Sequence, residues 1–172
     1  LEKAGDDPDA YVTIGEALRR GGQTEAAIRT LEVARMRFPE HEQVKLALAQ
    51  AYLDKGLPIT AGDIVARAAA QNFELYHEAA EIYRRAGELK RALFLNSQVP
   101  DEAKKTRQRF HLLLAMERYE QALALEPRLE RIGALSEDSI RYAAAYALFQ
   151  TAQFKRAVDY LNQISSSEYF GK

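Results

Sequence analysis

The residue types that could perform chemistry are few and widely spaced in this chain. It contains no cysteine, which excludes disulfides, thiol nucleophiles and thiolate metal sites. The three histidines, His41, His77 and His111, fall in three different segments of the sequence. A metal site needs two ligands on one helix face or in a tight cluster. We therefore predict no metal and no cofactor.

Pairs of acids recur at helical spacing, with Glu78 near Glu81 and Glu117 near Glu120. Two carboxylates could share acid–base work in an active site. Arg84 and Arg85 follow the first pair, so ion pairs on a solvated helix face are the better interpretation. The sequence also lacks a glycine-rich phosphate loop and a GxSxG nucleophile motif. We predict that the chain is not an enzyme.

Basic residues concentrate in the middle of a chain whose formal net charge is −1. Positions 82–118 hold nine basic and four acidic residues, a local excess of 9 − 4 = 5. A near-neutral protein has no general attraction to nucleic acid or to anionic membranes. A local basic stripe favours an acidic protein surface as partner. The alternative is an ordinary solvated helix face.

Apolar periodicity predicts helical hairpins that would carry these side chains. In positions 11–39, Tyr11, Ile14 and Leu18 recur at helical spacing before Gly21-Gly22, and a second apolar run then ends at Pro39. One such hairpin has too little apolar surface to fold alone. It therefore needs neighbouring hairpins.

Small residues repeat along the chain at a near-constant interval. Ala49 follows Gly15 by 49 − 15 = 34 positions, and Ala61 follows Ala27 by 61 − 27 = 34 positions. We predict repeats over positions 8–41, 42–72, 73–102, 103–137 and 138–172, the fourth degenerate because Pro127 falls inside its second helix. The small residues expected where helices pack closely are Gly15, Ala27, Ala49, Ala61, Ala80, Ala92, Ala122, Ala145 and Ala157.

This pattern resembles the tetratricopeptide repeat, which has a period of about 34 residues and small and large residues at fixed offsets. The resemblance implies an all-α fold, a right-handed α-solenoid of antiparallel helix pairs with about five repeats. We predict one solenoid over residues 1–172. Because neither end carries a polar capping helix, we expect it to be part of a longer array.

In that family the first helix of each repeat lines a concave groove that binds protein partners. Carried over to this chain, the resemblance places His77 and His111 toward the groove and leaves His41 exposed. The residues predicted to bind a partner are Arg84, Lys104, Arg107, His111, Tyr142, Tyr146 and Phe149.

A narrower resemblance covers positions 92–161, through the runs ALFLNSQVPDEAKKTRQRF, ERYEQALALEP and IRYAAAYALFQTAQFKRAVDYL. These runs are similar to the periplasmic repeat region of the outer-membrane export proteins for the Pel exopolysaccharide. The resemblance implies a periplasmic scaffold that docks a polysaccharide-modifying enzyme and guides polymer to an outer-membrane pore. Two alternatives stay open, a groove that binds carbohydrate directly and a cytoplasmic adaptor module. We expect no nucleic acid and no membrane contact.

Overall fold

The structure is a computed structural model that describes residues 6–165. Every element in that range is helical, which confirms the predicted all-α class. The chain divides into two compact units, Leu1–Gln98 and Val99–Lys172. The sequence also predicts the end of an earlier helix at positions 1–5 and a linker at positions 165–172. The first and most of the second lie outside the described residues.

The first unit contains three helical hairpins joined by short turns. Its helices are α1 (Pro8–Arg20), α2 (Thr24–Arg37), α3 (Glu42–Asp54), α4 (Pro58–Ala69), α5 (Leu75–Arg85) and α6 (Leu89–Asn96).

Local signals explain where the first helix begins and ends. The Asp7 carboxylate accepts a hydrogen bond of 3.0 Å from the backbone N–H of Asp9, and Pro8 lies in the first turn. Gly22, with φ of 73°, supplies the left-handed residue that lets the chain reverse. The turn after α3 places Gly56 in the same conformation, with φ of 78°.

The two helices of the first hairpin approach each other closely at Gly15, which has no side chain. A Cβ built on Gly15 would lie 2.7 Å from Cγ of Leu31, so Leu31 packs directly over the α1 backbone. Ile28 and Leu31 then share a buried cluster with Leu48 and Ala51 of α3. The second hairpin thereby covers the apolar face of the first. The nine predicted small residues are all buried: Gly15, Ala27, Ala49, Ala61, Ala80, Ala92, Ala122, Ala145 and Ala157.

The second unit has a less regular arrangement. Its elements are α7 (Glu102–Ala115), α8 (Tyr119–Leu123), α9 (Glu126–Arg131), a 3-10 turn (Ala134–Ser136), α10 (Asp138–Gln150) and α11 (Phe154–Leu161).

The irregularity lies where the sequence predicted a kinked or ended helix. Helix α8 ends at Leu123, and Pro127 falls in the first turn of the separate helix α9. Proline suits a first turn because its missing N–H would have no helical partner there. Gly133, with φ of 70°, then ends this segment. Phe110, Leu129 and Ile140 form the core beneath it.

The predicted fold class, an α-solenoid of antiparallel helix pairs, is thus confirmed. Continuity of one solenoid over residues 1–172, and the bounds of its five repeats, stay predictions.

The contact between Gly15 and Leu31 predicts that a methyl group added at position 15 changes stability in an unusual direction. Alanine in place of glycine inside a helix normally stabilises by about 0.5–1 kcal/mol. We expect Gly15→Ala to destabilise instead, by about 1–3 kcal/mol, because the buried Leu31 cannot move aside. The measurement is urea unfolding followed by circular dichroism.

Gly21→Ala is the matched control for this experiment. A Cβ on Gly21 would meet its nearest neighbour, the carbonyl oxygen of Ala17, at an ordinary 3.4 Å. We expect its free energy of unfolding to stay within about 0.5 kcal/mol of wild type. Equal stability of the two variants would show that the two helices do not approach closely at Gly15.

Candidate partner-binding surface

Helices α10 and α11 enclose an apolar groove of about 330 Å³. We call it the aromatic groove and define it by Tyr142, Tyr146, Phe149, Phe154 and Val158. Their side chains are 46%, 48%, 59%, 56% and 53% exposed. Ala145 and Ala157 also line the groove and are nearly buried. The aromatic groove is therefore a concave apolar surface that water contacts.

Ring contacts hold the aromatic side chains in place. The rings of Phe149 and Phe154 lie 5.5 Å apart at 63°, and those of Tyr119 and Tyr146 lie 5.8 Å apart at 78°. Both are edge-to-face arrangements, which aromatic pairs prefer. A hydrogen bond with Tyr146 raises the pKa of Tyr119. A partner that enters this groove would meet partly ordered side chains.

The other hairpins show that the fold does not require aromatic residues here. Tyr146 directly follows the small residue Ala145, and Phe149 comes four positions after it. The residues directly after the earlier small residues are Glu16, Gln50 and Glu81, and those four positions after are Arg19, Leu53 and Arg84.

The positions that correspond to Tyr146 and Phe149 remain exposed to solvent even in a hairpin that has a following neighbour. Gln50, which corresponds to Tyr146, is exposed in α3, although the next hairpin packs its α5 against α4. Arg19 reaches Asp54 at the end of α3 with an N–O distance of 2.8 Å, yet remains partly exposed. Tyr146 and Phe149 thus occupy positions that face solvent on the first helices.

In the first unit, the positions of α5 that correspond to Tyr146 and Phe149 carry Glu81 and Arg84, which form a polar cluster. Arg84 donates two hydrogen bonds to Glu81, of 2.8 Å from Nε and 2.7 Å from Nη2, and Arg85 donates a third of 2.9 Å. The Arg84 hydrogen bonds, with help from Arg85 and against the effect of burial, lower the pKa of Glu81 to about 2. Arg84, a predicted partner-binding residue, is therefore already engaged.

The basic residues predicted on α7 have different surroundings. Lys104 is exposed in the first turn and has no ion pair among the described residues. Arg107 pairs with Glu137 at 2.8 Å, which neutralises part of the basic stripe. The half-buried His111 ring stands edge-on to Phe110, with 5.6 Å between ring centroids.

The predicted binding residues therefore fall in three places. Arg84 belongs to the first unit, the three basic side chains lie on α7, and the aromatic residues line the groove. Sequence reasoning missed Phe154 and Val158 as candidate site residues. Both lie on α11, the second helix of the pair, whereas the family resemblance directed attention to first helices.

The histidines do not form a site together. His41 is half-buried rather than exposed as predicted, and its Nε2 lies 3.7 Å from the carboxylate of Asp9 on α1. His77 is half-buried on α5. Among residues 6–165, no three His, Asp or Glu side chains are grouped to hold a metal ion. Over the same part of the chain, no helix is long and apolar enough to span a bilayer.

Comparison with solved structures shows which fold this is. The chain matches MamA (41-end) from Desulfovibrio magneticus RS-1 with a TM-score of 0.76 at 15% identity, over 98% of both chains. It matches YrrB, described as a TPR protein with an unusual peptide-binding site, with a TM-score of 0.71 at 14% identity, over 95% of this chain and 88% of that one.

Pseudomonas aeruginosa pilF also matches, with a TM-score of 0.65 at 18% identity, over 94% of this chain and 77% of that one. No protein-family profile and no curated protein sequence matches the chain. The likeness establishes the tetratricopeptide-repeat fold.

The Glu81 cluster predicts a pH-dependent contribution to stability. Because the folded pKa of about 2 lies below the ordinary value of 4.5, the contribution is full above about pH 4.5 and disappears toward pH 2. We expect Glu81→Gln to lower the melting temperature by about 2–4 °C at pH 7. The difference from wild type should vanish near pH 2.

Glu78→Gln on the same helix is the control, since Glu78 is exposed and has no ion pair within the described residues. Melting curves from pH 7 to pH 2 test both variants. A Glu81→Gln difference that does not change with pH would contradict the assignment.

Proposed function

We propose that this protein is a non-catalytic scaffold that docks a protein partner in its aromatic groove. The observation that carries the proposal is the pair Tyr146 and Phe149. They lie at solvent-facing positions, and the corresponding positions of α1, α3 and α5 carry mostly polar side chains. Exposed apolar surface costs solubility unless something covers it, so such a patch marks an interaction site.

The chemistry of the lining favours a protein over a carbohydrate. Aromatic side chains are enriched in the energetically dominant centres of protein interfaces. A sugar site also needs a few well-placed polar groups to fix the hydroxyls. Among residues 6–165, no charged or amide side chain lines the aromatic groove, and the tyrosine hydroxyls are the side-chain polar groups found there. Direct carbohydrate binding is therefore the second candidate, favoured only by the exposed rings.

The shared fold is compatible with peptide recognition. YrrB has this fold and is described as having an unusual peptide-binding site. In this chain, partner binding by first helices agrees with the exposed face of α10.

The cellular setting that we propose follows from the sequence runs in positions 92–161. Their similarity to the Pel export proteins supports a periplasmic location within a longer outer-membrane protein. There the scaffold would dock a polysaccharide-modifying enzyme and guide exopolysaccharide toward a pore. The absence of cysteine agrees with an oxidising compartment but also with the alternative, a cytoplasmic adaptor.

The first test exchanges the aromatic pair for the polar pair that α5 already carries. Tyr146→Glu with Phe149→Arg reproduces the Glu81–Arg84 arrangement, so the helix should tolerate it. A photo-crosslinking residue at position 142 in the full protein first captures the partner in the native cell. We expect the double variant to bind that purified partner at least about tenfold more weakly in a titration.

Glu81→Gln with Arg84→Gln is the matched control, because it changes the same positions in the first unit. We expect its affinity for the partner to stay within about twofold of wild type. Unchanged affinity of the Tyr146→Glu/Phe149→Arg variant, with its helix content intact, would refute docking in the groove. A soluble exopolysaccharide as the sole captured species would favour the second candidate.

A second test concerns the basic residues of α7. We expect Lys104→Glu with Arg107→Glu to weaken binding of the same partner, and more strongly at low salt. Most of the effect should come from Lys104, because Glu137 already offsets the charge of Arg107. The control is Lys105→Glu with Arg109→Glu, which lie on another side of α7. If the Lys104→Glu/Arg107→Glu variant binds as tightly as wild type at every salt concentration, the basic stripe is only a solvated face.

A further inference from the structure

Another cavity of the first unit is lined mainly by second helices, with Tyr83 of α5 on one side. It measures about 330 Å³ and lies against α4 and α6. Its lining residues are Ala66, Tyr83, Lys90, Arg91, Phe94 and Leu95. We call it the α4–α6 cavity. Nothing in the proposed docking at the aromatic groove uses it.

The exposed Phe94 is the first observation that points to a ligand at this cavity. Its side chain is 68% exposed at the edge of the cavity. Phe94 stands two positions after the small residue Ala92. The residues two positions after the other second-helix alanines are also exposed, but they are charged or small: Arg29, Asp63, Ala124 and Asp159. Because the fold accepts polar residues there, packing does not explain the phenylalanine.

The charge at the cavity is the second sign. Lys90 has no ion pair or hydrogen bond among the described residues. The Arg91 guanidinium lies 5.6 Å from the centre of the Tyr83 ring. Its contacts with Asp63 and Glu88 are both long, at 3.7 Å. One cation without an ion pair, Lys90, and one with only long ion pairs, Arg91, therefore flank an apolar floor.

A neighbouring cavity in the same unit shows the opposite condition. The space of about 490 Å³ against α2 and α4 is lined mainly by charged groups that satisfy one another. Glu32 holds Arg35 at 2.7 Å and accepts a hydrogen bond of 3.0 Å from Tyr52. Glu40 pairs with Lys45 at 3.5 Å. That surface offers little to a ligand, whereas the α4–α6 cavity keeps both apolar area and positive charge.

From this contrast we infer that the α4–α6 cavity docks an acidic segment of a partner protein, with one large apolar side chain inserted between flanking carboxylates. The apolar side chain covers Phe94 and Leu95, and the carboxylates meet Lys90 and Arg91. A partly desolvated aromatic anchor supplies most of such binding energy, and complementary charge fixes its register. This is a second docking surface, on the other helix of the pair and in the other unit.

The test uses three fluorescein-labelled pentapeptides with blocked ends. DEFDE carries the proposed chemistry, NQFNQ lacks the charge, and DEADE lacks the anchor. We expect fluorescence anisotropy to show saturable binding of DEFDE to the wild-type chain that weakens as salt rises. NQFNQ and DEADE should each bind at least about tenfold more weakly.

Two variants connect the binding to the cavity. Phe94→Asp installs the residue found at the equivalent positions 63 and 159, so we expect the fold to survive. Lys90→Glu reverses the unpaired cation. Each should weaken DEFDE binding by at least about tenfold. Lys155→Glu is the matched control, because Lys155 stands two positions before Ala157 as Lys90 does before Ala92. It should leave the affinity unchanged.

Four results would overturn the inference. These are no DEFDE binding by the wild-type chain, binding that survives both cavity variants, equal binding of NQFNQ, and a loss in Lys155→Glu as large as in Lys90→Glu. The last result would show that general charge, rather than this cavity, attracts the peptide. None of these outcomes depends on the aromatic groove, so the two proposals stand or fall separately.

Discussion

The close approach of α1 and α2, where Leu31 packs over the backbone of Gly15, is the constraint from which the rest of the first hairpin follows. It sets the distance between α1 and α2 and buries Ala27 and Leu31. It also presents Ile28 to the next hairpin, where Leu48 and Ala51 cover it. Helices α3, α5 and α10 bury a small residue at the corresponding place, namely Ala49, Ala80 and Ala145. Overpacking at such a crossing costs about 1–3 kcal/mol, so the positions are fixed by physics rather than by any partner.

Because the helices touch at the small residues, neighbouring positions on the same helices are not needed for packing. On α1, α3 and α5 the residue after the small one is polar and at least partly exposed: Glu16, Gln50 and Glu81. Aromatic side chains at such a position need another reason, since polar side chains satisfy the fold at the same place on α1, α3 and α5. The α4–α6 cavity follows the same logic on second helices, where Phe94 replaces charged or small residues. In a repeat fold, the departures from the repeat carry the information about partners.

The elements of this fold could be predicted because their signals are local. Glycines with positive φ end the first helices at Gly22, Gly56 and Gly87, and Pro127 predicted the break that separates α8 from α9. The candidate site was harder to predict, because it depends on side chains that are distant in sequence. The pairing of Arg107 with Glu137 crosses 30 positions, and periodicity contains no trace of it. The sequence alone does not show that Phe154 lines the aromatic groove, because this depends on where its neighbours lie.

The balance of energies explains why the aromatic groove outranks the basic stripe as a docking site. Exposed ion pairs contribute about 0–1 kcal/mol each, and Arg107 would first have to leave Glu137. Burial of one exposed phenylalanine or tyrosine contributes about 1.5–3 kcal/mol, and the aromatic groove offers several such side chains together. The basic residues of α7 would then chiefly accelerate encounter with an acidic partner, while the groove determines how long the partner stays. On this proposal, affinity would depend on α10 and α11 and association rate on α7.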